Sequence, residues 1–143
     1  MIAVDTNVLV YAHRGESALH DAARAAVAEL AEGHRVWAIP WPCIDEFLSV
    51  VTHPRVFSRR ARSPRRSTSS TLGSAHRSRT VSENDRFLDY LRALAVGGAV
   101  AGPRLHDARI AAICLANGVT ELWSADRDFG RFPSLRVRNP LVA

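Results

Sequence analysis

Five carboxylates lie where the chain changes from an apolar run to a helix start or a turn. They are Asp5, Glu46, Asp107, Asp126 and Asp128. Their local sequences read IAVDTNVLVYA, CIDEFLSVV, LHDARIAAI and LWSADRDF. Scattered acids are usually solvated, whereas acids repeated at strand ends and in first helical turns can meet at one edge of a sheet. We therefore expect these five side chains to lie close together and to hold a divalent metal.

Carboxylates that are brought together repel one another, and the fold must offset that repulsion. Two unit charges about 4 Å apart interact by roughly 4 kcal/mol at an effective dielectric constant near 20. A bound Mg²⁺, or Mn²⁺ as its substitute, neutralises them, because these hard cations prefer oxygen ligands. A water acidified by such a cation can attack a phosphodiester. With little else nucleophilic beside the acids and no glycine-rich phosphate loop, the pattern indicates metal-assisted phosphate ester hydrolysis without a nucleotide cofactor.

Short apolar runs alternate with helical patterns along most of the chain. Strands are predicted at residues 2–4, 36–39, 121–124 and 136–138, and helices at 7–12, 17–33, 42–52, 82–96 and 105–118. Thr6, Ser17 and Ser82 are the expected N-caps, and Gly118 the expected terminator of the last helix. Such alternation indicates an α/β sandwich with a mainly parallel sheet, whose functional crevice lies at the carboxyl ends of the strands.

Length and composition fit one soluble domain of 143 residues with a normal apolar content of 47%. The N-terminus has no basic region and is a poor signal peptide, and no stretch approaches 18 uncharged apolar residues. We expect a cytoplasmic protein with no membrane span. The two cysteines, Cys43 and Cys114, form no CxxC motif and are expected to be buried free thiols.

Residues 58–82 differ from the rest of the chain. All 19 basic residues are arginine, and eight of them lie within residues 55–80, which contain no acid. Without these eight charges, the net charge of +5 for the whole chain becomes −3 for the remainder. The segment 58–82 is rich in Arg, Ser and Thr and has neither a strand nor a helix period. Three interpretations remain open: a disordered basic arm that binds RNA phosphates, a solvated insert without a role, or an out-of-frame stretch produced by compensating frameshifts in a GC-rich gene.

The acidic motifs, taken in order, resemble those of a known family. DTN after the first strand, DEF in the third helix, HDARIAA and SADRDF are similar to PIN-domain ribonucleases, and more narrowly to the VapC toxins of type II toxin–antitoxin systems. The resemblance covers about residues 1–57 and 82–143 of the predicted single domain, 1–143. It implies a three-layer α/β/α sandwich with a short, mainly parallel sheet. It also implies a Mg²⁺-dependent endoribonuclease acting on RNA, a homodimer, and inhibition by a VapB-type antitoxin.

The resemblance implies roles for individual residues. Asp5 and Asp107 match the first and third acids of the family and are the expected metal contacts. Glu46 and Asp126 match the second and fourth acids and complete the catalytic set, with Asp128 as a neighbouring metal contributor. The family supports its site by hydrogen bonding at three further positions, which here are Thr6, Asn7 and Ser124.

Residues 58–82 depart from the family, which has helices in that region, and this leaves a second function open. The alternative is a non-catalytic or degenerate PIN-like protein that binds RNA or an antitoxin. A receiver-like signalling domain also places acids at strand ends, but it requires a lysine near its end. The chain contains no lysine, which disfavours that third interpretation.

Overall fold

A five-stranded parallel sheet organises the part of the chain that the structure, a computed structural model, describes: residues 1–53, 78–97, 100–102 and 104–142. The strands of these ranges are β1 (Ile2–Val4), β2 (Trp37–Pro40), β3 (Ser78–Val81), β4 (Glu121–Trp123) and β5 (Arg136–Arg138). The helices are α1 (Thr6–His13), α2 (His20–Glu32), α3 (Trp41–Val51), α4 (Phe87–Gly97) and α5 (Arg104–Ala116), and a 3₁₀-helix spans Arg127–Arg131.

In the strand order β3-β2-β1-β4-β5, the order in which the chain adds strands to the sheet reverses between β1 and β4. This is the topological switch point of the sheet. From β1 the chain moves outward to β2 and β3, then returns through α4 and α5 to β4 on the other side of β1. Right-handed crossovers place the helices that lead to β2 and β3 on one face of the sheet and the helices that lead to β4 on the other. Helix α1 accordingly packs with α2 and α3, and α4 packs with α5. The fold is the predicted α/β sandwich, and its crevice is expected at the carboxyl ends of β1 and β4.

The central strands are apolar throughout because helices cover both of their faces. All three residues of β1 and of β4 are buried. Helix α5 is apolar on most of its circumference, since it lies between the sheet and α4; its buried residues are Ala108, Ile110, Ala111, Ala112, Ile113, Cys114 and Ala116. Both cysteines are buried free thiols, as the sequence predicts.

Strand β3 is an element that the sequence patterns do not predict. It comprises the last residues of the segment 58–82 and pairs in parallel with β2, with Ser78 opposite Trp37 and Val81 opposite Pro40. Only Val81 of the strand is buried, and it packs with Ala38 and Ile113. One buried residue cannot produce the alternation of apolar and polar residues that identifies a strand, so the extended conformation of β3 depends on its pairing with β2. The expectations for residues 58–77 lie outside the described residues.

The helix starts differ from the sequence prediction. Asp5, not Thr6, caps α1, and its side chain accepts a hydrogen bond from the Thr6 backbone N–H. Helix α2 begins at His20 because Ser17 Oγ accepts from the Leu19 N–H in a turn that precedes the helix. Helix α4 begins at Phe87 and not near Ser82, since Asn84 forms a turn there. In each case a short polar side chain stabilises the turn before the helix.

The end of α5 agrees with the sequence prediction. Gly118 has a φ of 72°, a conformation that costs little only for glycine. The Val119 N–H donates to the Cys114 carbonyl and the Gly118 N–H to the Leu115 carbonyl. This Schellman arrangement satisfies the last carbonyls of the helix and turns the chain into β4.

One buried acid, Glu121 on β4, serves the fold and lies apart from the predicted site. Trp123 Nε1 donates to Glu121 Oε1 at 2.7 Å, and Arg136 Nε lies 3.1 Å from Oε2. The Arg138 guanidinium lies 5.0 Å from the centre of the Trp123 ring. These contacts join β4 to β5, the edge strand of the described sheet.

No helix in the described ranges has the length and apolar character needed to cross a membrane.

We predict that Phe47→Ala lowers the free energy of unfolding by about 3–5 kcal/mol, because Phe47 is 1% exposed and its loss leaves a cavity under α3. The neighbouring Leu48 is 44% exposed, so Leu48→Ala should change that free energy by no more than about 0.5 kcal/mol. Urea unfolding of both variants measures the difference. Equal losses in the two variants would contradict the placement of α3.

Candidate active site

The Asp5 carboxylate is the buried centre of the site, at 4% exposure just beyond the end of β1. Its Oδ1 accepts from the Thr6 backbone N–H at 2.7 Å and from Cys43 Sγ at 3.5 Å. Its Oδ2 accepts from Asn7 Nδ2 and Ser124 Oγ, both at 2.6 Å. Burial raises the pKa of Asp5, while hydrogen bonds from Ser124, Thr6 and Cys43 act in the opposite direction. The four donors therefore stabilise a charge that burial disfavours.

Asn7 joins the start of α1 to the loop after β4. Its Nδ2 donates to Asp5 and also lies 3.0 Å from Ser124 Oγ, while its Oδ1 accepts from the Ala125 N–H at 3.0 Å. Ser124 Oγ accepts in turn from the Asp126 N–H at 2.9 Å. Side-chain amide and hydroxyl groups thus hold the start of α1 and the loop after β4 together at the switch point of the sheet. The sequence-predicted residues Asn7 and Ser124 lie directly beside Asp5.

Glu46 approaches the same edge from the middle of α3. Thr6 Oγ1 donates to Glu46 Oε2 at 2.7 Å, so the residue directly after Asp5 holds Glu46. His106 Nε2 lies 3.9 Å from the same oxygen. The Glu46 side chain is 52% exposed, and its carboxylate therefore stays accessible to solvent and ligands. Its charge contributes to the raised pKa of Asp5.

Asp107 lies in the first turn of α5, where the charges of the other acids meet. Burial is the largest cause of its raised pKa, and the negative charges of Asp126, Asp128 and Glu46 raise it further. His106 has the opposite effect. Because Coulomb effects on a pKa require nearby charges, these acids share one region of the surface. Protonation or a cation in that region would relieve the repulsion.

Asp126 and Asp128 enter from the 3₁₀-helix that follows β4. Asp126 is its N-cap, and its Oδ1 accepts from the Asp128 N–H at 2.8 Å. Asp128 Oδ1 accepts from Arg131 Nη2 at 3.1 Å. Asp126 keeps its second oxygen for other partners, whereas Asp128 already has a cation beside it. We call Asp5, Glu46, Asp107, Asp126 and Asp128 the acid cluster.

The acid cluster has the donor chemistry of a divalent metal site but not a closed set of ligands. All of its donors are carboxylate oxygens, which suit Mg²⁺ and Mn²⁺. Within the described ranges, no three acid, histidine or cysteine side chains converge tightly enough to form a ready-made metal-binding group. A cation that keeps several waters and contacts one or two carboxylates directly needs no such closed group. The residues present therefore fit a hydrated hard cation.

Cys43 and Arg131 are neighbours of the acids that the sequence analysis did not assign to the site. Cys43 precedes Glu46 by three residues, and this spacing places both on one face of α3. Burial, followed by the charge of Asp5, raises the pKa of the Cys43 thiol well above its usual range. The same two causes raise the pKa of Cys114 to about 12. Cys43 is therefore a neutral donor to Asp5, and the three-residue spacing from Glu46 was the available signal.

Known proteins of similar sequence identify the family of the chain. The PIN domain family pattern matches residues 2–135. The chain is 36% identical over 143 residues to the VapC ribonuclease Mb2897 of Mycobacterium bovis, covering 99% of this chain and 96% of that protein. It is 31% identical to the ribonuclease VapC48 of Mycobacterium tuberculosis, covering 95% and 94% of the two chains.

Solved structures show the same fold at low sequence identity. VapBC2 from Rickettsia felis, crystallised with a DNA fragment from its promoter, gives a TM-score of 0.67 at 20% identity, covering 97% of this chain and 98% of that one. VapC20 of Mycobacterium tuberculosis, described as a sarcin–ricin loop cleaving toxin, gives 0.60 at 16% identity, covering 91% and 93%. These structures show the shared fold, and the sequence matches establish that the chain belongs to the PIN-domain family and, within it, to the VapC ribonucleases.

Proposed function

We propose that the chain is the toxic component of a type II toxin–antitoxin system, a Mg²⁺-dependent endoribonuclease that hydrolyses RNA phosphodiester bonds. The observation that carries the proposal is the meeting of carboxylates at the switch point of the sheet: Asp5 just beyond β1, Glu46 held by Thr6, and Asp126 at the start of the 3₁₀-helix after β4. The raised pKa of Asp107, caused first by burial and then by the neighbouring acids, agrees with this arrangement. Full-length similarity to proteins named VapC ribonucleases supports RNA as the substrate.

The metal would be held by Asp5 and Asp107, with Glu46, Asp126 and Asp128 around them. A divalent cation supplies two things when bound: it acidifies a water for attack on phosphorus, and it stabilises the charge that develops on the phosphate. Oxygen-only donors and partly exposed carboxylates favour Mg²⁺, with Mn²⁺ as its substitute. Softer ions are disfavoured because the buried thiol nearest the acids is held neutral.

The protein's own residues orient the acids. Asn7 and Ser124 fix the Asp5 carboxylate through its Oδ2, so the lone pairs have one orientation. Thr6 aligns Glu46 in the same way from the start of α1. Such neighbours commonly matter to a metal site nearly as much as the ligands do. His106, beside both Glu46 and Asp107, supplies a positive charge in its protonated form.

The relatives also suggest partners. Solved neighbours include toxin–antitoxin complexes, among them one from Klebsiella pneumoniae that covers 98% of both chains with a TM-score of 0.64. A VapB-type antitoxin is therefore the proposed inhibitor of this chain, and a homodimer the proposed assembly. We place both in the cytoplasm, where RNA and a toxin of this class would meet.

One observation favours a second candidate, a degenerate PIN-like protein that binds RNA or antitoxin without cleaving. Each oxygen of Asp5 already accepts two hydrogen bonds within the protein, as in a purely structural carboxylate. Direct metal contact requires one donor to give way. Ser124 Oγ is the donor best able to do so, because a hydroxyl rotates freely. Binding of RNA that is indifferent to EDTA, without cleavage, would distinguish this candidate.

We predict that Asp107→Asn lowers the rate of RNA cleavage by at least about 100-fold, because it removes a metal contact and not merely a neighbour of one. Glu46→Gln should also reduce the rate, while the adjacent exposed Asp45→Asn should leave it unchanged. Cleavage of labelled RNA in Mg²⁺ by purified proteins measures all three. Parent-like cleavage by Asp107→Asn would overturn the assignment.

Metal binding can be measured without activity. We predict that Mn²⁺ raises the melting temperature by several degrees, since a ligand at 100 times its Kd stabilises the folded state by about 2.7 kcal/mol. EDTA should abolish the rise, and Asp107→Asn should reduce it. Asp89→Asn changes an exposed acid in the first turn of α4 and should keep the full rise. Equal rises in Asp107→Asn and Asp89→Asn would place the metal elsewhere.

A further inference from the structure

A cavity of about 230 Å³ opens beside the acid cluster, between α4, the start of α5 and the 3₁₀-helix. We call it the side cavity. It is lined by Leu94, Val100, Arg104, Asp107, Asp128, Arg131 and Phe132. Asp107 and Asp128 also belong to the acid cluster, so the cavity and the cluster share a wall. A ligand in the cavity would therefore lie next to the acids.

Two arginines supply cations on this side of the acids. Arg104 precedes Asp107 by three residues, and the two share a face of α5. Arg131 donates to Asp128 at 3.1 Å, and its side chain is 51% exposed. A guanidinium carries five N–H donors, so Arg131 keeps donors for a second anion. An RNA strand repelled by the acids would find compensating cations at the rim of the side cavity.

The remaining walls of the side cavity are apolar and well supported. Phe132 is 5% exposed, and its ring meets the Phe129 ring edge-on, with centroids 6.4 Å apart. Leu94 and Val100 pack against the core and are partly buried. The volume lies below the roughly 300 Å³ at which pockets for drug-sized ligands begin. A space of this size, with apolar walls on one side and charged groups on the other, suits one flat ring with polar edges better than a phosphate or a hydrated cation.

We propose that the side cavity binds one unstacked nucleobase of the RNA, next to the phosphodiester that is cleaved. Arg104 and Arg131 contact the flanking phosphates. Proteins recognise single-stranded RNA through bases that leave the stack and lie against apolar, aromatic or guanidinium surfaces. The inference rests on the proposed ribonuclease function and adds a base-binding subsite to it, with Leu94 and Val100 as determinants of the base accepted.

Removing single bases from the substrate tests the proposal without altering the protein. The probe is a single-stranded oligoribonucleotide that the parent protein cuts at one position, made as a series in which each member lacks one base near the cut. We expect KM to rise about tenfold or more for one member, with a smaller change in kcat, because one base has lost its stacking contact. Equal KM values across the series would overturn the proposal.

A cavity-filling variant then connects that base to the side cavity. Val100→Trp should raise KM for the intact RNA and remove the penalty for the missing base. Val96→Trp, at a position 91% exposed on α4, should behave as the parent does. A full penalty in Val100→Trp would place the base elsewhere and overturn the proposal.

A charge variant tests the rim in case Val100→Trp fails to fold. Arg131→Gln should raise KM several-fold and flatten its dependence on salt, because one phosphate contact is lost. Arg92→Gln is the matched control, since Arg92 also pairs with an acid three residues away, on exposed α4. An unchanged KM and salt dependence in Arg131→Gln would overturn the proposal.

The same assays separate this inference from the proposed function. Cleavage that persists in Asp107→Asn would contradict the ribonuclease site, and the subsite with it. Cleavage that requires Asp107 but ignores every missing base would contradict the subsite alone.

Discussion

The buried carboxylate of Asp5 is the constraint on which the arrangement of the site depends. A charge at 4% exposure is costly unless donors surround it, and the donors come from three places: the start of α1, helix α3 and the loop after β4. Satisfying one carboxylate thus fixes these elements relative to one another. Asn7 and Ser124 extend the network to the backbone of Ala125 and Asp126, so the same bonds also position the later acids.

The acids differ in how far the fold protects their charges. Asp5 is satisfied from within, whereas Glu46, Asp126 and Asp128 are exposed and Asp107 is partly exposed. Repulsion between the outer acids is therefore weakened by water, and the protein can fold before a cation arrives. Burial is the largest cause of the raised pKa of Asp107, and the repulsion that remains raises it further. A cation would be attracted to this point, and RNA phosphates would be repelled from it unless nearby arginines intervene.

The sequence predicted features that short-range patterns determine. Asp5 follows an apolar run, Asp107 falls in a first helical turn, and Gly118 ends a helix with a positive φ. Strand β3 was missed because Ser78–Val81 owes its conformation to β2, which lies far away in the chain. The contact between Cys43 and Asp5 depends on how α3 docks beside the end of β1. The pairing of Arg131 with Asp128 depends on the formation of a 3₁₀-helix. The spacing of Cys43 from Glu46 indicated a shared face of α3 but not how that face docks, and no sequence pattern predicted the 3₁₀-helix.

Crystallographic location of Mn²⁺ by its anomalous signal is the decisive test of the acid cluster as a metal site, because it reports the ion's position independently of activity. We expect one strong peak at the carboxyl ends of β1 and β4, within direct coordination distance of Asp107 or Asp5 and linked through waters to the remaining acids. A peak at another part of the surface, in a protein that cleaves RNA under the same conditions, would contradict this expectation.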